Sequence, residues 1–411
     1  ANGDGAPDLY VVSAGNEFSG SSDALRDRLY LNDGTGRFRR AKEALPDALT
    51  ANGAVVAPAD FDGDGDMDLF VGSRVVAHEY GEAPTSYLLE NDGTGHFTDV
   101  TDEAAPALRR VGMVTDATWA DVRGSAALDL VVVGEWMPIT VFEQHDGQLV
   151  NRTAAAGLSN TNGWWNAVHA ADLNGDETPD LIAGNFGLNA RLQAAPQSPV
   201  RLYRNDFDDD GQADPVLTRF NGGTSYPWAG RDRLIQRFPF LKEKFPTYES
   251  FGAAQIDDLF PSAKIQDATV ETAQTFASAY VESQGNGTFT VTSLPSRAQF
   301  APVYGTLIHD LTGNESQEVL LGGNFHAVRP RQGRYDASYG TLLRNNGDGR
   351  WTAVPPFESN LYLQGEVRAL RLLRGPEGPR HVIVARNDAP PQVILRSDTT
   401  AFRPSRAARA D

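Results

Sequence analysis

The chain contains no cysteine, only three methionines and only four lysines, Lys42, Lys242, Lys244 and Lys264. Without cysteine there can be no disulfide, no zinc–thiolate site, no iron–sulfur cluster and no thiol nucleophile. Basic residues are outnumbered, 36 against 54 acids, for a net charge of −18. A surface of that sign repels phosphate backbones, which argues against nucleic acid as a partner. Long apolar runs are missing too. The stretch from Leu128 to Val133 is broken by Asp129, far short of the roughly 20 apolar residues that cross a bilayer, so the chain is expected not to span a membrane. There is no P-loop string, no Gly-x-Ser-x-Gly and no His-Glu-x-x-His. No catalytic residue is assigned.

What is plentiful is glycine, 40 residues, and aspartate set in a repeat. Asp60-Phe-Asp62-Gly-Asp64-Gly-Asp66-Met-Asp68 runs directly into Leu-Phe-Val-Gly, a short apolar strand. Asp172-Leu-Asn174-Gly-Asp176-Glu-Thr178-Pro-Asp180 runs into Leu-Ile-Ala-Gly in the same way. Asn2-Gly-Asp4-Gly-Ala6-Pro-Asp8 fits with its first position cut off, and weaker copies run from Asp121 to Asp129, from Asp310 to Glu318 and from Leu372 to Arg380. First positions at 60, 121, 172, 310 and 372 leave one long step, from 172 to 310, that should hold two units. Between the copies, Asn-Asp-Gly and Asn-Gly turns join apolar runs, as in Leu29 to Phe38, Leu88 to Phe97 and Leu342 to Trp351; these are strong hairpin signals. Four short strands per unit of about 50–60 residues is the arithmetic of a propeller blade.

The expected fold is therefore all-β, a single seven-bladed β-propeller over 1–411 with blades near 1–50, 51–106, 107–158, 159–220, 221–297, 298–358 and 359–405. Apolar residues at helical spacing between Arg231 and Phe260 predict a helical insertion at 229–262, a packing cap or a lid. Blade one has no candidate inner strand ahead of its loop, so it is expected to carry three strands, with its fourth upstream in a longer parent chain.

Oxygen donors at positions 1, 3, 5 and 9, with glycine commonly at 6, suit a loop around one hard cation, and calcium takes six to eight oxygens. An EF-hand would need a bidentate Glu at position 12, where this chain has Val71, Ala183 and Leu217. The flanking strands instead predict hairpin calcium loops, about three to four ions in all. The strongest set is Asp60, Asp62, Asp64 and Asp68 with the Asp66 carbonyl. Next come Asp172, Asn174, Asp176 and Asp180 with Thr178, then Asp206, Asp208, Asp210 and Asp214 with Gln212, which lies out of phase with the other loops. Asn2, Asp4, Ala6 and Asp8 offer an incomplete set; the copy at 310 offers Asp310, Thr312, Asn314 and Glu318; Arg123 and Ser125 make the copy at 121 a non-binder. Four such ions would leave the net charge less self-repelling.

These loops resemble the FG-GAP/VCBS family, whose repeats form integrin-α-like seven-bladed propellers with calcium between strands. Val133-Gly-Glu-Trp-Met-Pro-Ile139, Gly163-Trp-Trp-Asn166, Gly184-Asn-Phe-Gly-Leu-Asn189 and Leu241-Lys-Glu-Lys-Phe245 narrow the resemblance to bacterial envelope proteins often joined to a UnbV/ASPIC domain. The resemblance implies an extracellular, cell-surface or periplasmic protein and no particular reaction. Trp136, Trp164, Trp165, Tyr226 and Trp228 are candidate ligand-binding residues, because aromatic faces beside polar groups suit sugar stacking; blade packing is the other reading. Three functions stay open: a calcium-stabilised propeller binding a glycan or protein partner, a polysaccharide lyase or hydrolase on the same scaffold, and a structural module of a longer surface protein.

Overall fold

The computed structural model describes residues 1–18, 22–47, 49–311, 316–329, 332–347, 349–373, 381–396 and 402–404. Their strands make seven antiparallel sheets. Sheet 1 holds Leu9–Val11, Arg28–Asn32 and Phe38–Arg40; sheet 2 holds Asn52–Ala59, Asp68–Val75, Tyr87–Asn91 and Phe97–Asp99. Sheet 3 is built from Met113–Ala120, Asp129–Met137, Thr140–His145 and Gln148–Asn151, with Gly163–Trp164 added beside Asp129–Met137. Sheet 5 takes Val303–His309, Glu318–Gly323, Thr341–Asn345 and Trp351–Val354; sheet 6 takes Glu366–Leu373, His381–Asn387, Gln392–Arg396 and Phe402–Pro404. The first strands of sheets 2 to 6 pack against one another in order, which gives a propeller-like all-β fold.

The second strands carry apolar residues on both faces because a sheet lies on either side. Val131 and Val133 of sheet 3 meet Val168, Leu181 and Ala183 of sheet 4 in one cluster, and Leu320 of sheet 5 meets Leu370, Val382 and Val384 of sheet 6 in another.

Sheet 4 departs from the predicted blades. Its strands are Ala167–Ala171, Asp180–Gly184, Ala279–Ser283 and Phe289–Ser293, with Leu181 opposite Val281. Residues 185–278 are thus inserted between its second and third strands. They form a sheet of their own, ordered Thr224–Pro227, Asp214–Asn221, Val200–Asn205, Thr269–Ala273. Blades at 159–220 and 221–297 therefore do not exist as drawn: the long step holds one blade and a nested sheet, because a pairing partner almost a hundred residues away completes sheet 4. Five short helices, Arg231–Arg237, Leu241–Lys244, Tyr248–Gly252, Ile256–Leu259 and Ser262–Gln266, occupy the predicted helical stretch and run slightly past it. They close over the nested sheet through Leu234, Phe238, Leu241, Phe245 and Phe260, with Phe260 stacked 4.1 Å from Phe207.

Neighbouring sheets are also latched at their loops. In sheets 2 to 5 a polar side chain at the end of the third strand donates to the carbonyl of position 2 in the preceding sheet's loop. Gln144 Nε2 reaches Phe61 O at 3.2 Å, Ser283 Oγ reaches Val122 O at 2.9 Å and Asn91 Nδ2 reaches Ala1 O at 2.9 Å; Asn345 reaches Leu173 O. The latch from sheet 5 lands on sheet 4 and none involves the nested sheet, among the described residues, which places the nested sheet outside the succession. Sheet 1 has three strands among the described residues; residues 405–411, and Thr312 and Asn314 of the loop at 310, lie outside them.

Candidate metal loops and an arginine-lined cleft

The Asp-rich loops share one internal plan. Position 2 is apolar and buried: Phe61, Val122, Leu173, Phe207 and Leu311 are each at most 4% exposed. Position 9 is a buried acid: Asp68, Asp129, Asp180, Asp214 and Glu318 are each at most 1% exposed. Its carboxylate accepts the position-2 N–H, at 3.1 Å for Asp68, 3.3 Å for Asp180, 3.2 Å for Asp214 and 2.8 Å for Glu318. The other oxygen accepts an N–H from the third strand, Asn91 for Asp68 and Ser283 for Asp180, both at 2.8 Å. Burial pushes Asp68 up to about 6, against these hydrogen bonds, and the charges of Asp62 and Asp64 push the same way.

The loops differ in what faces those acids. In the first complete set, Asp60, Asp62 and Asp68 each bring a carboxylate oxygen within 4.8 Å of the others. Asp64 does not join that group; it accepts the Asp66 N–H at 2.9 Å. Among the described residues no cationic side chain pairs with any of these acids, so the donor set fits calcium: hard oxygens of uncompensated charge in a turn of the right size. In the loop from Asp172, Asn174 donates to Asp176 at 3.1 Å, and the acids are not drawn together. In the loop from Asn2, Asn2 donates to Asp4 at 3.0 Å and the Ala1 amino group meets Asp8 at 2.7 Å. In the copy at 121, Arg123 lies 2.7 Å from Asp129, a guanidinium where a cation would sit.

The out-of-phase loop gathers Asp206, Asp208 and Asp210, but a side chain from the inserted helix Arg231–Arg237 reaches in. Arg237 is 2.5 Å from Asp214, 3.1 Å from Asp210 and 3.7 Å from Asp208, and Lys264 pairs with Asp209 at 2.5 Å. One buried oxygen, Asp208 Oδ1, has no hydrogen-bond partner.

The candidate aromatic residues separate into scaffold and surface. Trp165 is fully buried and its Nε1 donates to Thr161 O at 2.9 Å. Trp136 is 3% exposed, has a left-handed backbone (φ 66°), and donates to Tyr80 Oη at 3.0 Å. Both are packing elements, so they are corrected from the ligand-binding set. Adjacent tryptophans entering a strand point to opposite sides, which is why Trp164 differs from Trp165. Tyr226 lies on the nested sheet opposite Arg219 and is not among the residues lining the cleft described next.

Trp164 and Trp228 do face a cavity, of about 490 Å³, between the insertion and the ring. It is lined by Val216, Leu217 and Leu234 of the nested sheet and its helices, by Phe186 and Leu192 after the second strand of sheet 4, and by Val328 and Tyr335 after the second strand of sheet 5. Trp164 stands edge-on between Trp136 and Phe186, at 5.1 Å from each, and Phe186 is 4.9 Å from Tyr335. The Trp164 Nε1 is shielded and has no hydrogen-bond partner. An adjoining hollow of about 320 Å³ shares Trp228, Arg233, Arg329 and Gln332 with the first and adds Arg191 and Arg219. Sequence reasoning missed these arginines; spread from 191 to 329, they carry no shared motif, and only the insertion unites them. A second concavity, of about 360 Å³ beside Arg74, Asn166 and Tyr304, is electrically spent: Arg74 pairs with Glu135, and Arg368, stacked 4.3 Å from Tyr304, pairs with Glu366 at 2.9 Å.

A family model described as FG-GAP-like repeat matches residues 1–71 and 121–183, so the chain carries FG-GAP-like repeats. Cartilage acidic protein 1 of Mus musculus is 26% identical over 273 residues, covering 57% of this chain and 40% of the relative. The Homo sapiens protein of the same name gives 26% over 273 residues and 39% of its length. The chain thus spans about two fifths of the curated relatives it matches. Among solved structures, the BBS1N chain of a complex with ARL6DN overlaps 92% of this chain and 89% of its own, at 9% identity and a TM-score of 0.32. The exotype rhamnogalacturonan lyase YesX overlaps 90% and 63%, at 14% identity and a TM-score of 0.33.

Proposed function

We propose that this chain is a calcium-stabilised binding module of an extracellular, cell-surface or periplasmic protein, and that it recognises a glycan in the cleft between the ring and the insertion. The observation that carries the reading is the cleft itself. Trp164, Trp228 and Tyr335 bring aromatic surface into a cavity large enough for a few sugar residues, with polar groups from Gln332 and arginines beside them. Sugar rings have apolar C–H faces and polar rims, and such a mixed lining matches both.

The lining favours binding over hydrolysis. Glycoside hydrolysis generally needs two carboxylates about 5–10 Å apart, and among the described residues neither an Asp, a Glu nor a His lines either cavity. Calcium would be held by Asp60, Asp62 and Asp68, with the loops from Asp172 and Asp206 as further sites. Its role is to neutralise carboxylates that the turn forces together. Among the described residues none of these ligand acids lines the cleft, so the ion supports the scaffold.

The test is a panel of soluble oligosaccharides in millimolar calcium, followed by calorimetry and by assays for new reducing ends and unsaturated products. Binding that is lost in Trp228→Ala, with no product formed, is the expected result. Product formation would move the reading to an enzyme. Binding unaffected by Trp228→Ala would move the site elsewhere.

A further inference from the structure

Resting on the reading of this cleft as a glycan site, we propose that its ligand is anionic, a sugar bearing carboxylate or sulfate groups. The chain as a whole is strongly acidic, 54 acids to 36 bases, yet four arginines, Arg191, Arg219, Arg233 and Arg329, line the joined cavities, and among the described residues no acid does. Several arginines elsewhere are neutralised: Arg109 pairs with Asp99 at 2.8 Å, Arg123 with Asp129 at 2.7 Å, and Arg204 with Glu79 at 2.5 Å. Among the described residues, Arg219, Arg233 and Arg329 pair with no carboxylate.

Like charges held in one hollow repel; water lowers that cost at the exposed Arg191, Arg233 and Arg329, and a bound anion would lower it further. Aromatic contact also lowers it: the Arg219 guanidinium lies 5.4 Å from the Trp228 ring centre, which also fixes its direction. Arg233 spends one donor on Gln236 Oε1 at 3.1 Å, leaving the rest of its fork. The ligand would supply the anion. Guanidinium forks match planar carboxylates and the oxygen triads of sulfates bidentately, which a lysine would not do. A regularly charged glycan would thus lay ring faces on Trp228 and Tyr335 while its acid groups meet the arginines.

The experiment uses the full chain with calcium held constant. Four probes are titrated at low and at physiological salt: an oligogalacturonate, a sulfated chondroitin oligosaccharide, a neutral malto-oligosaccharide and an oligoglutamate peptide. Arg329→Gln and Arg233→Gln, both at exposed positions, are compared with Trp228→Ala after melting curves show each variant folded. The proposal expects one or both acidic sugars to bind, roughly tenfold more weakly in each arginine variant, with affinity falling as salt rises. Because the chondroitin probe bears carboxylates as well as sulfates, its comparison with the same oligosaccharide after desulfation shows whether sulfate is read. A neutral sugar binding as well as the acidic ones, or acidic sugars binding the arginine variants unchanged, overturns the anionic assignment; if Trp228→Ala still weakens the neutral sugar, the glycan reading survives it. Tighter binding of oligoglutamate than of any sugar overturns both in favour of an acidic protein partner. Binding of none of the four probes overturns both as well.

Discussion

At the residue scale, the nine-residue loops contain two kinds of acid that look alike in the sequence. Asp60, Asp62 and Asp64 are half-exposed or exposed and spend their oxygens within the turn, whereas Asp68 is buried and ties the loop to two strands. The variants are expected to differ accordingly. Asp62→Ala lowers calcium affinity at this loop and leaves the chelated protein's stability nearly unchanged. Asp68→Ala leaves two buried N–H groups unsatisfied and costs roughly 2–4 kcal/mol even in chelator; urea denaturation with and without chelator checks both. The spacing of acids was legible because the pattern is local. The role of position 9 was not, because its partners Asn91 and Ser283 come from a strand the pattern does not contain. Period-two alternation across Trp164 and Trp165 was a signal available to separate them.

A second residue-scale consequence concerns pH. Burial pushes Asp116 up to about 6, opposed by N–H donors from Val168 and Ala117 and by Arg371. Burial pushes His169 down to about 4, and Arg371 adds to it. The signs oppose. A raised acid makes the native state bind the proton more tightly, so its contribution falls as pH climbs from the unfolded value to about 6. A lowered histidine makes the native state shed its proton, so its contribution grows from about 4 to the unfolded value. In the wild type the two trends largely cancel. Asp116→Asn removes the falling one, so the variant's stability relative to wild type should improve by up to about 3 kcal/mol between pH 4 and pH 6. Denaturant titrations at unit pH intervals measure it, and a pH-independent difference would contradict the assignment.

At the element scale, the insertion was legible as a helix-rich break and illegible as a nested sheet. Its strands have the lengths and turn signals of a blade, so local pattern placed two blades where there is one. Only the pairing of Asp180–Gly184 with Ala279–Ser283 decides the matter, and pairing over that separation leaves no local trace. The insertion also brings its own counter-ion. Arg237 stands among Asp208, Asp210 and Asp214, so calcium must displace a guanidinium at this loop and not at the loop from Asp60. Arg237→Gln is therefore expected to tighten calcium at the Asp206–Asp214 loop and to lower the melting temperature in chelator. Terbium luminescence quenched by Asp206→Asn would assign the site. Unchanged affinity in Arg237→Gln would show that the arginine does not compete there.

At the scale of the whole molecule, calcium held in these loops would be mechanically connected to the succession of sheets. In four of the loops the carbonyl of position 2 is the acceptor of the latch from the next sheet; thus Gln144 holds Phe61, and Ser283 holds Val122. A loop that loosens therefore loosens the joint between two sheets before it loosens either sheet's own ladder. Ligand binding to the native state alone contributes about 2.7 kcal/mol at a hundredfold excess over Kd, so chelation should lower the melting temperature and millimolar calcium should restore it. The spatial pattern is the sharper test. Local opening free energies are lowest where few buried contacts hold the backbone, and in the absence of calcium that place is the loop from Asp60 to Asp68, whose carboxylates then repel without a counter-ion. Hydrogen exchange after chelation should rise first in residues 60–68 and in the turn around Gln144 that is latched to them. The loop from Asp121 to Asp129 should be unaffected, because Arg123 already supplies its charge. Equal acceleration in both loops, or none in either, would mean that the ring does not use calcium in this way.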